Sequence, residues 1–345
     1  MAETEAMDGS ALVTGGTGYI ASHLMAALLK EGWPVRACAR GERPPGMPAE
    51  VDYRSVDLAG SEPLDELVEG VTHVFHLAGA SSSRSSDDEM WRSNVEGTQR
   101  LVDAAARSGT ERVLYMSSTS VYGEAVQLPL PVREDVEVHP SRSYGKAKWG
   151  AEQAVWQAGE GGLAVVVVRP VSIFGPGNTK LLASAILDVA IERYAGLETL
   201  AVHRQPVEQR LVHVADVVAA CLHLIDHPEA TGRAFNVCLD TYPTSHELAA
   251  ILAGLFSMDV ELDDDPDCGL PPDQRAAVHD RMLAQGMQGH ILVSPERFRL
   301  MRKANRNNRL CIDALLGTGF RFTESSLDDS IAATVQWYRQ HRWIM

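Results

Sequence analysis

Short apolar runs of β type alternate with helically spaced segments through the first half of the chain. Ala11-Leu-Val-Thr14 is the first such run, and residues 19–30 follow with helical spacing up to Gly32. Residues 34–40 form a second apolar run, 54–57 a short third and 72–78 a fourth. A helical pattern over 94–107 ends near Gly109, and 112–117 reads as a fifth strand. Residues 143–158 read as the next helix. Residues 163–168 hold four consecutive valines, the mark of a strand buried on both faces. Repeated β-then-α units predict a parallel sheet with right-handed crossovers and helices on both sides. Such sheets bind ligands at the carboxyl ends of their strands.

After Pro170 the pattern changes. Gly175-Pro-Gly177 reads as a turn, 181–194 and 216–226 as helices, and 234–238 as a strand returning to the main sheet. From Ser245 onward the chain reads as mostly helical, interrupted by a polar stretch over 263–272. The expected organisation is a dinucleotide-type domain over residues 1–175, rejoined by about 208–240. Residues 176–207 and 241–345 are expected to cap the strand ends as a substrate-binding portion.

Composition narrows the class. The 46 acidic against 31 basic side chains give a net charge of −15, which repels phosphate backbones and argues against a nucleic-acid partner. Cys38, Cys221, Cys238, Cys268 and Cys311 are odd in number and scattered without a Cys-x-x-Cys pair, so reduced, cytoplasmic thiols are expected rather than disulfides or a zinc site. The acidic start is unlike a signal peptide. The longest strongly apolar run is too short for a bilayer, so no membrane partner is expected.

Val13-Thr-Gly15-Gly-Thr-Gly18-Tyr-Ile-Ala21 lies between the first strand and the first helix. Gly15 permits a tight turn. Gly18 lets the backbone approach a pyrophosphate, which the helix N-terminus then holds. Strand before and helix after make a bound dinucleotide the better reading of the loop than an empty turn. The fold class is therefore α/β, a Rossmann-type doubly wound parallel sheet with a smaller, mostly helical C-terminal portion. At the end of the second strand, Ala39-Arg40 stands where a carboxylate would bind the ribose hydroxyls of NAD, with Arg43 close by. A guanidinium favours a phosphate, so NADP(H) is preferred over NAD(H). The competing reading has Arg40 stacked on adenine, which suits either cofactor.

Tyr144-Gly-Lys-Ala-Lys148 places Tyr144 and Lys148 on one helix face. A free phenol has a pKa of about 10, too high for easy proton exchange near neutrality. A nearby ammonium and a helix N-terminus are expected to lower it. Ser118 ends the preceding strand and is suited to bind a substrate oxygen beside Tyr144. Taken singly, a Tyr-x-x-x-Lys is usually a wet surface pair. Its order after a Ser-Ser-Thr strand end and a glycine loop raises it to a catalytic candidate.

These residues resemble the extended short-chain dehydrogenase/reductases, the sugar-nucleotide epimerase and dehydratase group. The matching stretches are Thr14-Gly-Gly-Thr-Gly-Tyr-Ile20, His76-Leu-Ala-Gly79, Asn94-Val-Glu-Gly-Thr98, Ser117-Ser-Thr-Ser-Val-Tyr-Gly123 and Tyr144-Gly-Lys-Ala-Lys148. Arg169-Pro170, Phe174-Gly-Pro-Gly177 and Val212-His-Val-Ala-Asp-Val217 continue them in order. The resemblance implies Ser118, Tyr144 and Lys148 as catalytic residues. It implies cofactor contacts from Gly15, Thr17, Gly18, Tyr19 and Ile20. Asp57 and Leu58 would lie beside the adenine, and Leu77, Ala78 and Gly79 along the cofactor's central portion. Lys148 would reach the nicotinamide ribose, and the segment of Pro170 and Ser172 the carboxamide. Asn94 would tie its helix to the neighbouring strand.

Two departures bear on the substrate. Many epimerases carry an acidic residue at the place of Arg40. Many also have an arginine, often serving a sugar-nucleotide diphosphate, where Gln209 stands here beside Arg210. Residues 294–301 look more like relatives that reduce hydrophobic ketones or ketosugars. Ser81, Thr119, Asn178 and Arg210 are the substrate candidates. The leading expectation is an NADPH-dependent ketoreductase of a small biosynthetic metabolite. An epimerase or dehydratase that retains its cofactor comes second, and a dinucleotide sensor third. Resemblance also implies a homodimer through the helices at 94–107 and 143–158. No metal is expected: His223 and His227 lack a third ligand and suit a capping role, and Asp263-Asp-Asp265 suits a solvated loop.

Overall fold

The first apolar run folds as β1 (Ala11–Thr14), buried at every residue, and α1 (Tyr19–Lys30) follows it. The computed structural model describes residues 9–80, 85–265, 269–288, 307, 309–323 and 326–345. Next come β2 (Val35–Ala39), β3 (Asp52–Ser55), α2 (Asp65–Val68) and β4 (His73–His76). A helical stretch begins as α3 (Asp87–Trp91), widens into one π-turn (Arg92–Glu96) and continues as α4 (Gly97–Ser108). Gly109 ends it at φ 80°, a left-handed cap that suits glycine. Then follow β5 (Arg112–Met116), a 3-10 turn (Thr119–Tyr122), α5 (Ser143–Glu160) and β6 (Ala164–Pro170).

The later chain runs through β7 (Ser172–Phe174), α6 (Leu182–Tyr194), β8 (Thr199–His203), β9 (Leu211–His213) and α7 (Val214–Ile225). It continues with β10 (Arg233–Val237), α8 (Ser245–Leu255), β11 (Asp259–Asp263), α9 (Pro272–Ala284), α10 (Asp313–Gly317) and α11 (Leu327–Gln340).

The chain divides into two units. The first comprises Met1–Val171, Ala215–Val237 and Leu310–Arg321. Its seven-stranded sheet has the order β10-β6-β5-β4-β1-β2-β3, with every pairing parallel. The chain steps from β1 outward to β2 and β3, then returns to β4 on the other side of β1. The switch point of the doubly wound sheet therefore lies between β1 and β4. Leu12, Val74, Val113 and Val167 form the sheet's part of one core, against which Leu101, Ala105, Ala151 and Val155 of α4 and α5 pack. The edge strand β3 starts two residues before the expected run. Its exposed residues give little apolar signal, and its position follows from pairing, Arg36 opposite Asp52, with an ion pair between them.

The second unit comprises Ser172–Val214, Cys238–Arg309 and Phe322–Met345. Its core is built on α6, which contributes Leu182, Ile186, Val189 and Ile191, together with Leu248, Leu252, Ile331 and Tyr338. Two small parallel sheets, β8 with β11 and β7 with β9, join its helices. The sequence pattern did not show these four strands. They are three to five residues long, and β11, an alternating Asp-Val-Glu-Leu-Asp, lies just before the polar stretch and shares only Asp263 with it. Among the described residues no helix is long and apolar enough to cross a membrane.

Candidate active site

The glycine loop sits at the switch point. Gly15 has φ +70°, and a Cβ there would stand 2.9 Å from the Cα of Ala78. A larger residue would be strained twice, in its backbone and against the segment that follows β4. Gly16 N–H donates to the Cys38 carbonyl (2.9 Å), which ties the loop to β2. Gly18 is the N-cap of α1 and provides no side chain, and no side-chain bond caps that helix end. Uncapped backbone N–H groups at a positive helix end suit a phosphate. Thr17 and Gly18 are exposed, and Tyr19 and Ile20 are partly so. The residues present thus fit the pyrophosphate of a dinucleotide.

Across the switch point, Leu77, Ala78 and Gly79 follow β4. A Cβ at Gly79 would lie 3.1 Å from Asn94 Oδ1 and 3.2 Å from Lys148 Nζ, so this exposed glycine keeps a narrow gap open. Asn94 stands in the π-turn, buried to 1% exposure. Its Oδ1 accepts from Ala80 N–H (2.6 Å) and its Nδ2 donates to the Ala80 carbonyl (3.1 Å). The expected tie from this helix to the strand end is present, made to the segment after β4. Such π-turns recur at functional sites because they re-aim a side chain out of helical phase.

Ser118, Tyr144 and Lys148 come from one strand end and one helix. Ser118 caps the 3-10 turn, its Oγ accepting from Ser120 N–H (3.2 Å). Its side chain is also hydrogen-bonded to Tyr144. Gly145 explains how the two approach: a Cβ there would lie 2.5 Å from the Ser120 carbonyl oxygen, so only glycine lets the first turn of α5 rest on this loop. Lys148 is buried, donates from Nζ to the Met116 carbonyl (2.8 Å) and faces the Tyr115 ring at 4.9 Å.

The electrostatic balance differs from the expectation that Lys148 lowers the Tyr144 pKa. Burial pushes Tyr144 up to about 12, and the Ser118 hydrogen bond opposes it. Part of the Tyr144 surface stays open while its hydroxyl end is densely surrounded. Burial brings Lys148 down to about 8, with the Glu152 charge opposing. Desolvation therefore outweighs the opposing contact at each group, Ser118 at the phenol and Glu152 at the ammonium, and the phenol holds its proton at neutral pH.

A second set of residues lay outside the sequence reading. Glu152, fully buried, accepts from Ser117 Oγ (2.5 Å) and from Arg169 Nε (3.0 Å) on Oε1. Its Oε2 accepts from Arg169 NH2 at 2.6 Å. Arg169 also donates to the Tyr122 hydroxyl and the Glu134 carbonyl, both at 3.1 Å, and Tyr122 donates to Asn236 Oδ1 at 2.7 Å. A signal existed. Tyr144, Lys148 and Glu152 follow one another at steps of four, so a helix carries all three on one side.

The remaining candidates divide. Arg40 is exposed at the end of β2 and has no hydrogen bond or ion pair among the described residues. Arg43 donates to the carbonyls of Val51 (2.9 Å) and Pro48 (2.5 Å), so it braces its own loop. Asp57 is exposed and accepts from Ala59 N–H (3.1 Å), while Leu58 is buried beside it. Thr119 is buried, with its hydroxyl on the Pro170 carbonyl (3.4 Å). Ser172, Asn178 and Arg210 belong to the second unit. There Asn178 uses its side chain on Ile173 and Lys180, and Arg210 donates to the Asn307 carbonyl (3.3 Å). Ser81 and residues 294–301 lie outside the described residues. His227 caps a 3-10 turn through Glu229 N–H, and His223 bonds Thr318 (2.8 Å).

An open parallel sheet with a glycine loop at its switch point defines a Rossmann-type α/β protein. The chain belongs to the NAD dependent epimerase/dehydratase family, whose model matches residues 11–238. It is 32% identical over 263 residues to GDP-6-deoxy-D-mannose reductase of Pseudomonas aeruginosa, covering 74% of this chain and 82% of that relative. Its fold matches the crystal structure of a putative epimerase from Burkholderia cenocepacia J2315 at a TM-score of 0.73, with 22% identity over 97% of this chain and 100% of that one. It also matches the structure of RMD from Pseudomonas aeruginosa complexed with NADPH at a TM-score of 0.71, with 25% identity over 96% and 99% of the two chains. A UDP-glucose 4-epimerase of Azospirillum brasilense is also similar, 30% identical over 211 residues, 57% of this chain and 60% of that relative. Reductases and epimerases thus both stand among its relatives in an NAD dependent family.

Proposed function

We propose that this protein is an NADPH-dependent ketoreductase acting on a small biosynthetic metabolite or ketosugar. The observation that carries the reading is Arg40, an exposed cation without a partner among the described residues, one strand over from the glycine loop. A free guanidinium there is poised for the ribose phosphate and offers no acceptor to ribose hydroxyls. The reductase of Pseudomonas aeruginosa among the relatives supports the same direction.

A bound cofactor would supply a hydride to the carbonyl carbon. Gly15 to Ile20 would hold its pyrophosphate at the start of α1. Asp57 and Leu58 would flank the adenine, and Leu77 to Gly79 would line the centre of the molecule. Ser118 donates a hydrogen bond to the substrate oxygen. Tyr144 then gives its proton to that oxygen, and burial keeps this proton in place until it is needed. Lys148 stabilises the tyrosinate that remains, and solvent restores the proton.

Titration of NADPH and NADH into the purified protein, followed by absorbance at the reduced-nicotinamide band with a ketone panel, tests the reading. NADPH should bind at least about tenfold tighter, the effect of one charge-assisted bond, and be consumed. Cofactor that co-purifies without net consumption would transfer the assignment to an epimerase or dehydratase. We also infer a homodimer through α4 and α5. Light scattering that returns the mass of one 37.5 kDa chain removes that inference.

A further inference from the structure

His76 ends β4 with both ring nitrogens engaged and no surface exposed. Nδ1 lies 2.7 Å from Thr14 Oγ1 of β1, and Nε2 lies 2.8 Å from Thr98 Oγ1 of α4. The outer partners settle who donates. Thr98 directs its hydroxyl proton to the Asn94 carbonyl, an acceptor only. Thr98 Oγ1 must then accept from His76 Nε2–H. Thr14 Oγ1 accepts from Ala78 N–H (3.1 Å), and its own proton goes to the bare Nδ1 of His76. With the proton on Nδ1 instead, Nε2 would face an oxygen whose only proton is already directed elsewhere. With both nitrogens protonated, the Thr14 proton would lose its acceptor.

Both ends of this chain return to one segment. One end holds Ala78 N–H through Thr14. The other reaches Asn94, whose amide holds Ala80 through its N–H and its carbonyl. Between them lies Gly79, with Lys148 Nζ across the gap. We propose that His76 is a positioning residue: neutral and protonated on Nε2, it closes a one-way hydrogen-bond circuit through Thr14, Thr98 and Asn94 that fixes the backbone of residues 78–80 beside Lys148 for the dinucleotide. The environment favours this form. Burial drives the His76 pKa down to about 3, and the Lys148 charge adds to the effect. The Tyr115 ring packs against His76 at 5.3 Å and against Lys148 at 4.9 Å, so the imidazole has no acidic partner on that side.

The inference about the dinucleotide rests on the proposed cofactor site, and the test separates the two. Nitrogen NMR of 15N-histidine protein, with His76 assigned by its loss in His76→Gln, should show the neutral Nε2–H form unchanged between pH 5 and 8. An Nδ1–H form, or titration within that range, overturns the circuit whether or not any cofactor binds. Thr98→Val removes the acceptor of Nε2–H at nearly constant shape. We expect it to weaken NADPH binding about tenfold, the equivalent of roughly 1.4 kcal/mol. Thr98→Ser should restore it, because the hydroxyl returns. Circular dichroism melts establish that both variants fold. A folded Thr98→Val that binds NADPH like the parent overturns the positioning role. Absence of NADPH and NADH binding by the parent protein overturns the cofactor site, while the NMR spectrum still decides the circuit.

Discussion

Two buried polar networks flank Lys148 and treat charge in opposite ways. On one side His76, bonded only to hydroxyls, is held neutral far below the ordinary histidine range. On the other, Glu152 lies at zero exposure yet meets Arg169 through two parallel bonds and takes a third from Ser117. A buried charge survives where an opposite charge and enough donors replace its water. Where only neutral partners are available the group surrenders its proton instead. The two solutions serve different seams. The neutral circuit joins β1, β4 and α4 behind the segment of residues 78–80. The charged network joins the ends of β5 and β6 to α5, which carries Tyr144 and Lys148.

The largest effect should come from breaking the charged side. Glu152→Ala leaves Arg169 buried without its counter-ion and should cost about 3–5 kcal/mol of stability. Urea unfolding measures it, with Glu152→Met/Arg169→Met recovering most of the loss. A single substitution costing under about 1 kcal/mol would show that the pair is not the interior charge we take it for.

Tyr144 carries the hydroxyl proposed to protonate the substrate. Tyr144→Phe should lower turnover by roughly two orders of magnitude, the usual contribution of a positioned acid, with NADPH affinity nearly unchanged. Steady-state rates on any ketone the parent reduces decide the point, and near-parental turnover would remove Tyr144 from the chemistry.

The neutral side predicts a pH signature. The folded pKa of His76 is depressed, so the unfolded chain binds the extra proton first. Stability is therefore complete above the unfolded value of about 6.5 and is lost as pH falls towards about 3. The slope from this group is about 1.4 kcal/mol per pH unit. His76→Gln should flatten the stability curve between pH 6 and 4 by that amount relative to the parent. Parallel curves would contradict a buried neutral histidine.

The smallest effect lies outside both networks. Arg40→Asp should reverse cofactor preference, with NADPH losing about tenfold in affinity while NADH gains. Because Arg40 is exposed, the parent's preference should shrink as salt rises. Calorimetric titration at two ionic strengths reads both outcomes, and equal affinities for the two cofactors in the parent would sink the argument.

Much of the fold was readable before any coordinates. The strands β1, β2, β5 and β6 and the helices α1 and α5 lie where apolar spacing put them, because each buries a run or stripe of apolar residues. The glycine loop was readable for a different reason: the backbone at Gly15 admits no side chain, so the residue type reports the geometry. Tyr144, Lys148 and Ser118 were singled out as candidates through spacing and order. The short strands β7, β8, β9 and β11 were missed, since three to five residues carry too little periodicity to stand out.

The two networks mark the boundary. Spacing put His76 inside the fourth apolar run and drew the helix that carries Glu152 without singling that residue out, because period and distance along one element are local properties of the chain. Which nitrogen of His76 carries the proton depends on Thr14 and Thr98, 62 and 22 residues away in sequence. The counter-ion of Glu152 is Arg169, brought to it from the neighbouring strand β6. The direction in which Tyr144 shifts was likewise decided by enclosure rather than by its nearest cation. Burial and partner identity come only from packing distant segments together, and in a dry interior those two quantities decide protonation.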